Sequence, residues 1–348
     1  MGLKSIAIVI NDISASGGTE RVASFLANKL SALGMNVTLV SVVKSGQPFY
    51  SLNNAVTVSY VDSSSWYKLG LHIKELGSES VVSISMGRLS FKLSLLFLMF
   101  NIKSKLILSE HVGFETSSGV IRFLKRLSYH LADQLVLLTK HDHNILKAGL
   151  STPSIVIPNP TLYPALPKNE LVNKKKIVLA VGRLNQQKNF TKLIQLWAAL
   201  PEELHQQWQL RIVGSGEEKE HLLKTISEKA VNESVEITEA SKEIHFEYKQ
   251  ASILAMTSRY EGLPLVLIEA KSFGLPAIAF DCKTGPAEII CNMNDGFLIP
   301  EHDDDMYIHQ LTELMRNERL RKEMSINAIA NSSNFSEEHV IKLWETVL

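Results

Sequence analysis

Short apolar runs, each followed by a segment with helical periodicity, recur from one end of this chain to the other, and that alternation restricts it to a parallel α/β architecture. In the front half the runs are Ser5 to Ile10, Asn36 to Val42, Val56 to Val61, Val81 to Ser85, Lys105 to Ser109, Gln134 to Thr139 and Ser154 to Ile157. A stretch rich in proline follows, Pro158, Pro160, Pro164 and Pro167, with polar Asn169 to Lys176 behind it; it reads as a linker. The pattern then restarts at Ile177 to Val181, Gln209 to Val213, Val235 to Thr238, Ile253 to Thr257, Ala277 to Phe280 and Gly296 to Ile299. A length of 348 residues fits two domains of ordinary size. The expected arrangement is two doubly wound domains facing each other, residues 1–165 and 166–334, with an amphipathic segment, 335–348, closing the chain.

With 45% hydrophobic and 21% charged residues the chain can bury two cores. Cys282 and Cys291 have neither metal-ligand nor CxxC spacing and read as reduced thiols of a cytoplasmic protein. The chain runs straight into its first strand, with no secretory signal read there. Leu93 to Phe100 is far short of the ~20 residues that span a bilayer, so it reads as a buried helix, with membrane contact as the alternative.

The formal net charge is zero but uneven: residues 1–165 hold 15 Lys and Arg against 9 Asp and Glu, the remainder 21 against 27. A basic front half suits the inner face of an anionic membrane or a diphosphate-bearing acceptor; ordinary surface scatter is the other reading. No basic run with interleaved aromatics is present, so no nucleic-acid partner is expected.

The segment Ser258 to Ala270 places two carboxylates, Glu261 and Glu269, across a strand-to-helix junction. Pro264 suits the first helical position, where an N–H has no partner to lose. Gly262 permits close approach of a ligand, and the helix N-terminus at Gly262, Leu263, Pro264 and Leu265 favours an anion. Carboxylates accept hydrogen bonds from hydroxyls, so an anion site flanked by two of them suits a sugar carrying phosphate. A buried capping Glu with an exposed helix Glu is the plain alternative.

Other strand ends repeat the theme. Gly17 and Gly18, in Gly17-Gly18-Thr19-Glu20-Arg21, open a helix after the first strand without the GxGxxG spacing of a dinucleotide fold; a tight turn is the alternative. Gly182-Arg183 and Lys188 follow the first strand of the second half, and both cations can reach a diphosphate, Arg183 by its planar fork and Lys188 as a point charge. Gly214, in Val213-Gly214-Ser215-Gly216, and Thr284-Gly285-Pro286 end two further strands. His111 ends a front-half strand, where α/β folds bind ligands, although a histidine there can equally be a satisfied partner. His141-Asp142-His143 looks metal-like, but Thr139 with Asp142 reads more simply as a helix cap. Asp303-Asp304-Asp305 reads as a helix N-terminus with favourable charges; with Arg183 and Lys188 available, no metal is expected. For Ile121 to Tyr129 two readings stay open, a helix resting on a membrane and a core-facing helix with a solvated basic side.

Taken in order, Gly-Gly-x-Glu-Arg at 17–21, His111, Ile157-Pro158-Asn159-Pro160, Gly182-Arg183, Lys188, Gly214 and the Glu-x7-Glu pair at 261 and 269 resemble the retaining glycosyltransferases of family four. The likeness runs through nearly the whole chain. It implies the GT-B fold, two facing Rossmann-like domains with the last helix crossing back to the first. By the same resemblance Glu269 holds the ribose hydroxyls, Glu261 contacts the sugar ring, and Arg183 and Lys188 stabilise the departing diphosphate. Gly214 is placed by the nucleotide base, Gly17 and Gly18 lie under the diphosphate and acceptor, and His111 touches the donor sugar. The donor implied is a UDP-hexose, with galactose, glucose or N-acetylhexosamine as the sugar, and it is a substrate, so no cofactor is expected. The acceptor implied is a saccharide or polyprenyl-diphosphate-linked glycan, with peripheral membrane contact. Pro160 stands where many relatives have Gly, and Ser109-Glu110-His111 is one of several variants around that His. A sugar-nucleotide epimerase of the same architecture and a non-catalytic sugar-nucleotide-binding subunit are the rival readings.

Overall fold

Valine, isoleucine and leucine fill both faces of the central strands, as parallel sheets covered by helices on each side require. The computed structural model describes residues 4–43, 46–61, 66–85, 87–167, 170–171, 174–241 and 243–348. These form two compact units, Met1–Asn159 with Glu338–Leu348, and Pro160–Glu337.

The first unit alternates β1 (Ser5–Ile10), α1 (Gly18–Ala32), β2 (Asn36–Ser41), β3 (Thr57–Tyr60), α2 (Trp66–Leu76), β4 (Ser80–Ser85), α3 (Arg88–Phe100), β5 (Lys105–Glu110), α4 (Gly119–His130), β6 (Gln134–Leu137), α5 (Lys140–Lys147) and β7 (Ser154–Val156). Its seven strands are parallel in the order β3-β2-β1-β4-β5-β6-β7. Strand order reverses between β1 and β4, so the loops leaving these two strands diverge and open a crevice at their carboxyl ends.

The second unit contains β8 (Ile177–Val181), α6 (Phe190–Ala198), α7 (Glu202–His205), β9 (Gln209–Val213), α8 (Lys219–Glu228), β10 (Val235–Thr238), α9 (His245–Gln250), β11 (Ile253–Met256), α10 (Leu265–Ser272), β12 (Ala277–Phe280), α11 (Pro286–Ile289), β13 (Gly296–Ile299), α12 (Asp304–Arg316) and α13 (Glu318–Ser332). The strand order is β10-β9-β8-β11-β12-β13, with the reversal between β8 and β11. Fully buried Trp197 and Tyr307 anchor its core. The last helix, α14 (Glu337–Glu345), buries Val340 and Trp344, and beyond it the Val347 carbonyl accepts from Lys105 Nζ at 2.8 Å in the first unit.

Several details differ from the sequence reading. β6 stops at Leu137 because Thr139 turns to cap α5, its hydroxyl accepting from Asp142 N at 3.1 Å. The proline-rich stretch is held by the second unit: Thr161 N donates to Phe335 O and Leu166 N to Ser272 O, each at 2.7 Å. Residues 168–169 and 172–173 of the expected linker lie outside the described residues. In α4, Arg122 and Arg126 are exposed and Tyr129 is buried, as a core-facing helix with a solvated basic side requires, but Lys125 is buried and Val120, Phe123 and Leu127 are exposed, which that description leaves out. The apolar cluster in α3 buries Leu93, Leu96 and Phe97 and exposes Leu98 and Met99. No helix among the described residues is long and apolar enough to cross a membrane.

Both cysteines are free, Cys282 buried and Cys291 exposed. Burial first, then the charges of Glu261, Glu301 and Asp281, push the Cys282 thiol up to about 12. A thiol reagent at pH 8 is therefore expected to modify Cys291 alone in the native chain and both cysteines after denaturation; the Cys291→Ser variant should show no native reaction.

Candidate active site

Because β8 and β11 are paired neighbours at the reversal point, the loops that follow them meet, although their sequences lie some seventy residues apart. The first loop carries Gly182, Arg183 and Lys188; the second carries Glu261. Lys188 Nζ stands 2.6 Å from Glu261 Oε1, with the two side chains 17 and 7% exposed. So little water reaches this pair that its attraction is much stronger than that of a surface pair. The Lys188 stem lies across Gly182, where an added Cβ would come within 3.1 Å of it. Arg183, in the same loop, is exposed.

Backbone contacts hold this loop on both sides. Gly182 N donates to Val213 O at 3.1 Å and Leu184 N to Ser215 O at 2.9 Å, joining it to the loop after β9. Arg259 N donates to Gln187 O at 2.8 Å, and Gln187 Nε2 to Tyr260 O at 3.0 Å, joining it to the loop after β11. Gly214 is required by this packing, since a Cβ there would overlap the Gly182 carbonyl oxygen. Its place at the strand end thus has a steric reason of its own.

The Glu261–Glu269 segment folds as a strand, a turn and the buried helix α10. Pro264 occupies the N-cap with extended backbone, φ −69° and ψ 111°, and the helix starts at Leu265. The expected position of Pro264 is therefore one residue late: as the cap, its carbonyl accepts from Leu267 N at 3.1 Å. Gly262 is half-buried and Leu263 buried. The Thr284 hydroxyl donates to the Glu261 carbonyl. Neighbouring Gly285, at φ +97°, packs so tightly that a Cβ would come within 2.8 Å of Gly262 O.

Glu269 is 3% exposed, and its Oε2 accepts from the Tyr248 hydroxyl at 2.8 Å. Tyr248, in α9, is fully buried and stacks on Phe273 with ring centroids 5.5 Å apart. The sequence carries no motif that marks Tyr248 as a partner of Glu269. Flanked by Glu247 and Lys249, it carries no local sign of burial either.

Gly17, Gly18, His111 and the 141–143 cluster belong to the first unit, the 303–305 aspartates to the second. Gly17 caps α1 and Gly18 begins it. No side chain caps this helix; instead the Glu20 carboxylate folds back against Gly17, where a Cβ would overlap it, and accepts from Thr19 Oγ1 at 2.9 Å. His111 follows β5, half-buried, with its N–H donating to Ser85 O at 2.8 Å and Nε2 within 3.0 Å of Ser109 Oγ. Burial lowers its pKa from 6.5 to about 4, so the imidazole is neutral near pH 7. His141 pairs with Glu115, while Asp142 accepts from Phe114 N at 3.1 Å. Asp303 caps α12 by accepting from Met306 N, and Asp304 pairs with Lys192.

A family model described as glycosyl transferases group 1 matches residues 165–331. The chain is 42% identical over 353 residues to the amylovoran biosynthesis glycosyltransferase AmsD of Erwinia amylovora, covering 98% of each. It is 26% identical over 344 residues, 94% of each, to the GalNAc-alpha-(1->4)-GalNAc-alpha-(1->3)-diNAcBac-PP-undecaprenol alpha-1,4-N-acetyl-D-galactosaminyltransferase of Campylobacter jejuni. Among solved structures, a complex of Staphylococcus aureus TarM with fondaparinux, alpha-GlcNAc-glycerol and UDP superposes with a TM-score of 0.82 over 99% of each chain at 14% identity. That likeness places the two-sheet architecture in the GT-B fold.

Two outcomes follow from the packing and the burial. Gly214→Ala should lower unfolding stability by about 1–3 kcal/mol in urea titration, since the added methyl must displace a backbone carbonyl. For His111 the folded pKa lies below the unfolded one, so its contribution to stability is complete above pH 6.5 and is lost as pH falls toward 4. Urea midpoints measured across that range should fall less steeply with acid in His111→Gln than in the parent.

Proposed function

Because the chain belongs to the group 1 glycosyl transferases, we propose that it moves a hexose from UDP to a hydroxyl of a glycan or polyprenyl-diphosphate-linked saccharide, with retention of the anomeric configuration and without a metal ion. It is a glycosyltransferase of polysaccharide or lipid-linked glycan biosynthesis. The UDP in the TarM complex and the undecaprenol-linked acceptor named for the Campylobacter relative support the finer reading. The observation that carries it is the juxtaposition of Lys188 and Glu261 beside Gly182, with exposed Arg183 in the same loop.

In this reading Arg183 and Lys188 take up the negative charge that grows on the departing diphosphate. Glu261, which positions Lys188, contacts the sugar ring, and Glu269, held by Tyr248, accepts from the ribose hydroxyls. His111 accepts from the 6-hydroxyl of the sugar, a role for which a neutral imidazole is the correct form. The acceptor oxygen attacks the anomeric carbon on the face from which the diphosphate leaves. The bond from that carbon to the phosphate oxygen breaks through an oxocarbenium-like transition state, and the leaving phosphate takes the acceptor proton. Peripheral contact with the cytoplasmic face of an anionic membrane is part of the proposal. Exposed Val120, Phe123 and Leu127 on α4 lie beside Arg122 and Arg126, a combination suited to a lipid headgroup region.

Nucleotide release from UDP-, GDP- and ADP-sugars, with and without lipid-diphosphate glycan acceptors, tests this reading. UDP release should depend on acceptor and fall at least about a hundredfold in Lys188→Ala, in line with loss of an electrostatic group at the reacting centre. An inverted product anomer, read by NMR, would remove the retaining mechanism. Tight UDP binding without turnover on any acceptor would favour a binding subunit.

A further inference from the structure

A second buried ion pair lies in the first unit and has no part in the chemistry above. Glu110, the last residue of β5, and Lys125, in α4, are 3 and 1% exposed, with Lys125 Nζ 3.1 Å from Glu110 Oε2. Ser90 Oγ, near the start of α3, donates to Glu110 Oε1 at 2.7 Å. The Tyr129 hydroxyl bonds the same carboxylate; burial, then the charges of Glu110 and Asp142, raise its pKa well above the usual range, so it remains a donor. The Lys125 stem crosses Gly87, which sits at φ +112° and where a Cβ would overlap Lys125 Cε. Ser85, at the end of β4, joins the same cluster: its Oγ accepts from Gly87 N at 2.8 Å and Ser90 N at 3.3 Å, and its carbonyl accepts from His111 N at 2.8 Å.

Stability alone does not account for this pair. Removing two charges from water is so costly that neutral groups of the same shape are often as stable or more so, whereas removing one partner leaves a buried charge and destabilises strongly. What the pair adds is a single allowed position. The end of β5, the start of α3 and the middle of α4 meet at one carboxylate, Ser85 at the end of β4 bonds both the same α3 turn and the His111 backbone, and the residue after Glu110 in the chain is His111. We infer that Glu110 and Lys125 are positioning residues for His111, holding the end of β5 so that the imidazole occupies one place. The consequence for turnover rests on the proposed role of His111 at the donor sugar.

The test is Glu110→Gln combined with Lys125→Met in the full chain. Gln keeps an acceptor for Ser90 and Tyr129, and Met keeps the apolar stem over Gly87. The melting temperature should be retained, while the His111 imidazole, followed by NMR titration, moves up from about 4 toward 6.5 as it loosens into water. Turnover should fall about ten- to a hundredfold in kcat, the cost of a misplaced group, with the donor KM nearly unchanged. In a His111→Ala background the same pair replacement should cost nothing further. An unmoved His111 titration with unaltered kcat would overturn the inference, as would a full additive loss in the His111→Ala background. If the double variant does not fold, Ser90→Ala removes a single donor and should move both readouts the same way by less; no movement there overturns it too. If His111→Ala is fully active while the pair replacement still moves the titration, the positioning stands and the role of His111 at the sugar falls.

Discussion

Parallel pairing of β8 with β11 is the contact on which the candidate site depends. Only because these strands are neighbours at the reversal of strand order can Lys188 reach Glu261 at 2.6 Å. The pairing also sets the loops close enough to share backbone hydrogen bonds, and the close approach in turn demands glycine at 214. A parallel sheet aims all its strand ends one way, so one edge collects loops from many parts of the chain. Helix N-termini and loop N–H groups gather there, an environment that favours anions.

Buried charge is concentrated at the same kind of place in both units. Lys188 with Glu261 and Lys125 with Glu110 each join a strand-end carboxylate to a cation whose stem lies over a glycine. In each case the glycine leaves room for the lysine stem, and the acidic residue accepts a further bond, Glu261 at its main-chain carbonyl from Thr284 and Glu110 at its carboxylate from Ser90. Lys271 with Asp295, 4 and 1% exposed, is a third buried pair, and it braces α10 from the side away from its N-terminus. Such pairs add little net stability but penalise any arrangement that separates them. They give the loops at the strand ends one preferred geometry where hydrophobic packing alone would tolerate several.

Much of the fold was legible because its signals are local. Ile177–Val181 and Ala277–Phe280 stand where the apolar runs place them, since a strand buried on both faces must be continuously apolar, while Gln209–Val213 stands where its alternating pattern places it. Element ends were less legible: Gln134–Leu137 is shorter than its apolar run because the Thr139 hydroxyl is used as a cap, and Pro264 caps α10 where the sequence suggested its first turn. The candidate site was readable as separate motifs, each at a strand end. Tyr248 was not, because its bond to Glu269 joins two helices with no spacing rule between them. Nor was the burial of Lys125, since a lysine on an amphipathic helix ordinarily lies in water.

The amino-acid sequence by itself determined the alternation of strand and helix, the presence of two such arrays and the chemical types at each strand end, because periodicity and residue chemistry act over a few neighbours. Tertiary structure alone decided which strand ends adjoin, which carboxylate receives Lys188 and which receives Lys125, and which glycines are sterically required. Those outcomes depend on strand order and on distances between residues 15 to 73 positions apart, and the local pattern of side chains carries no record of either.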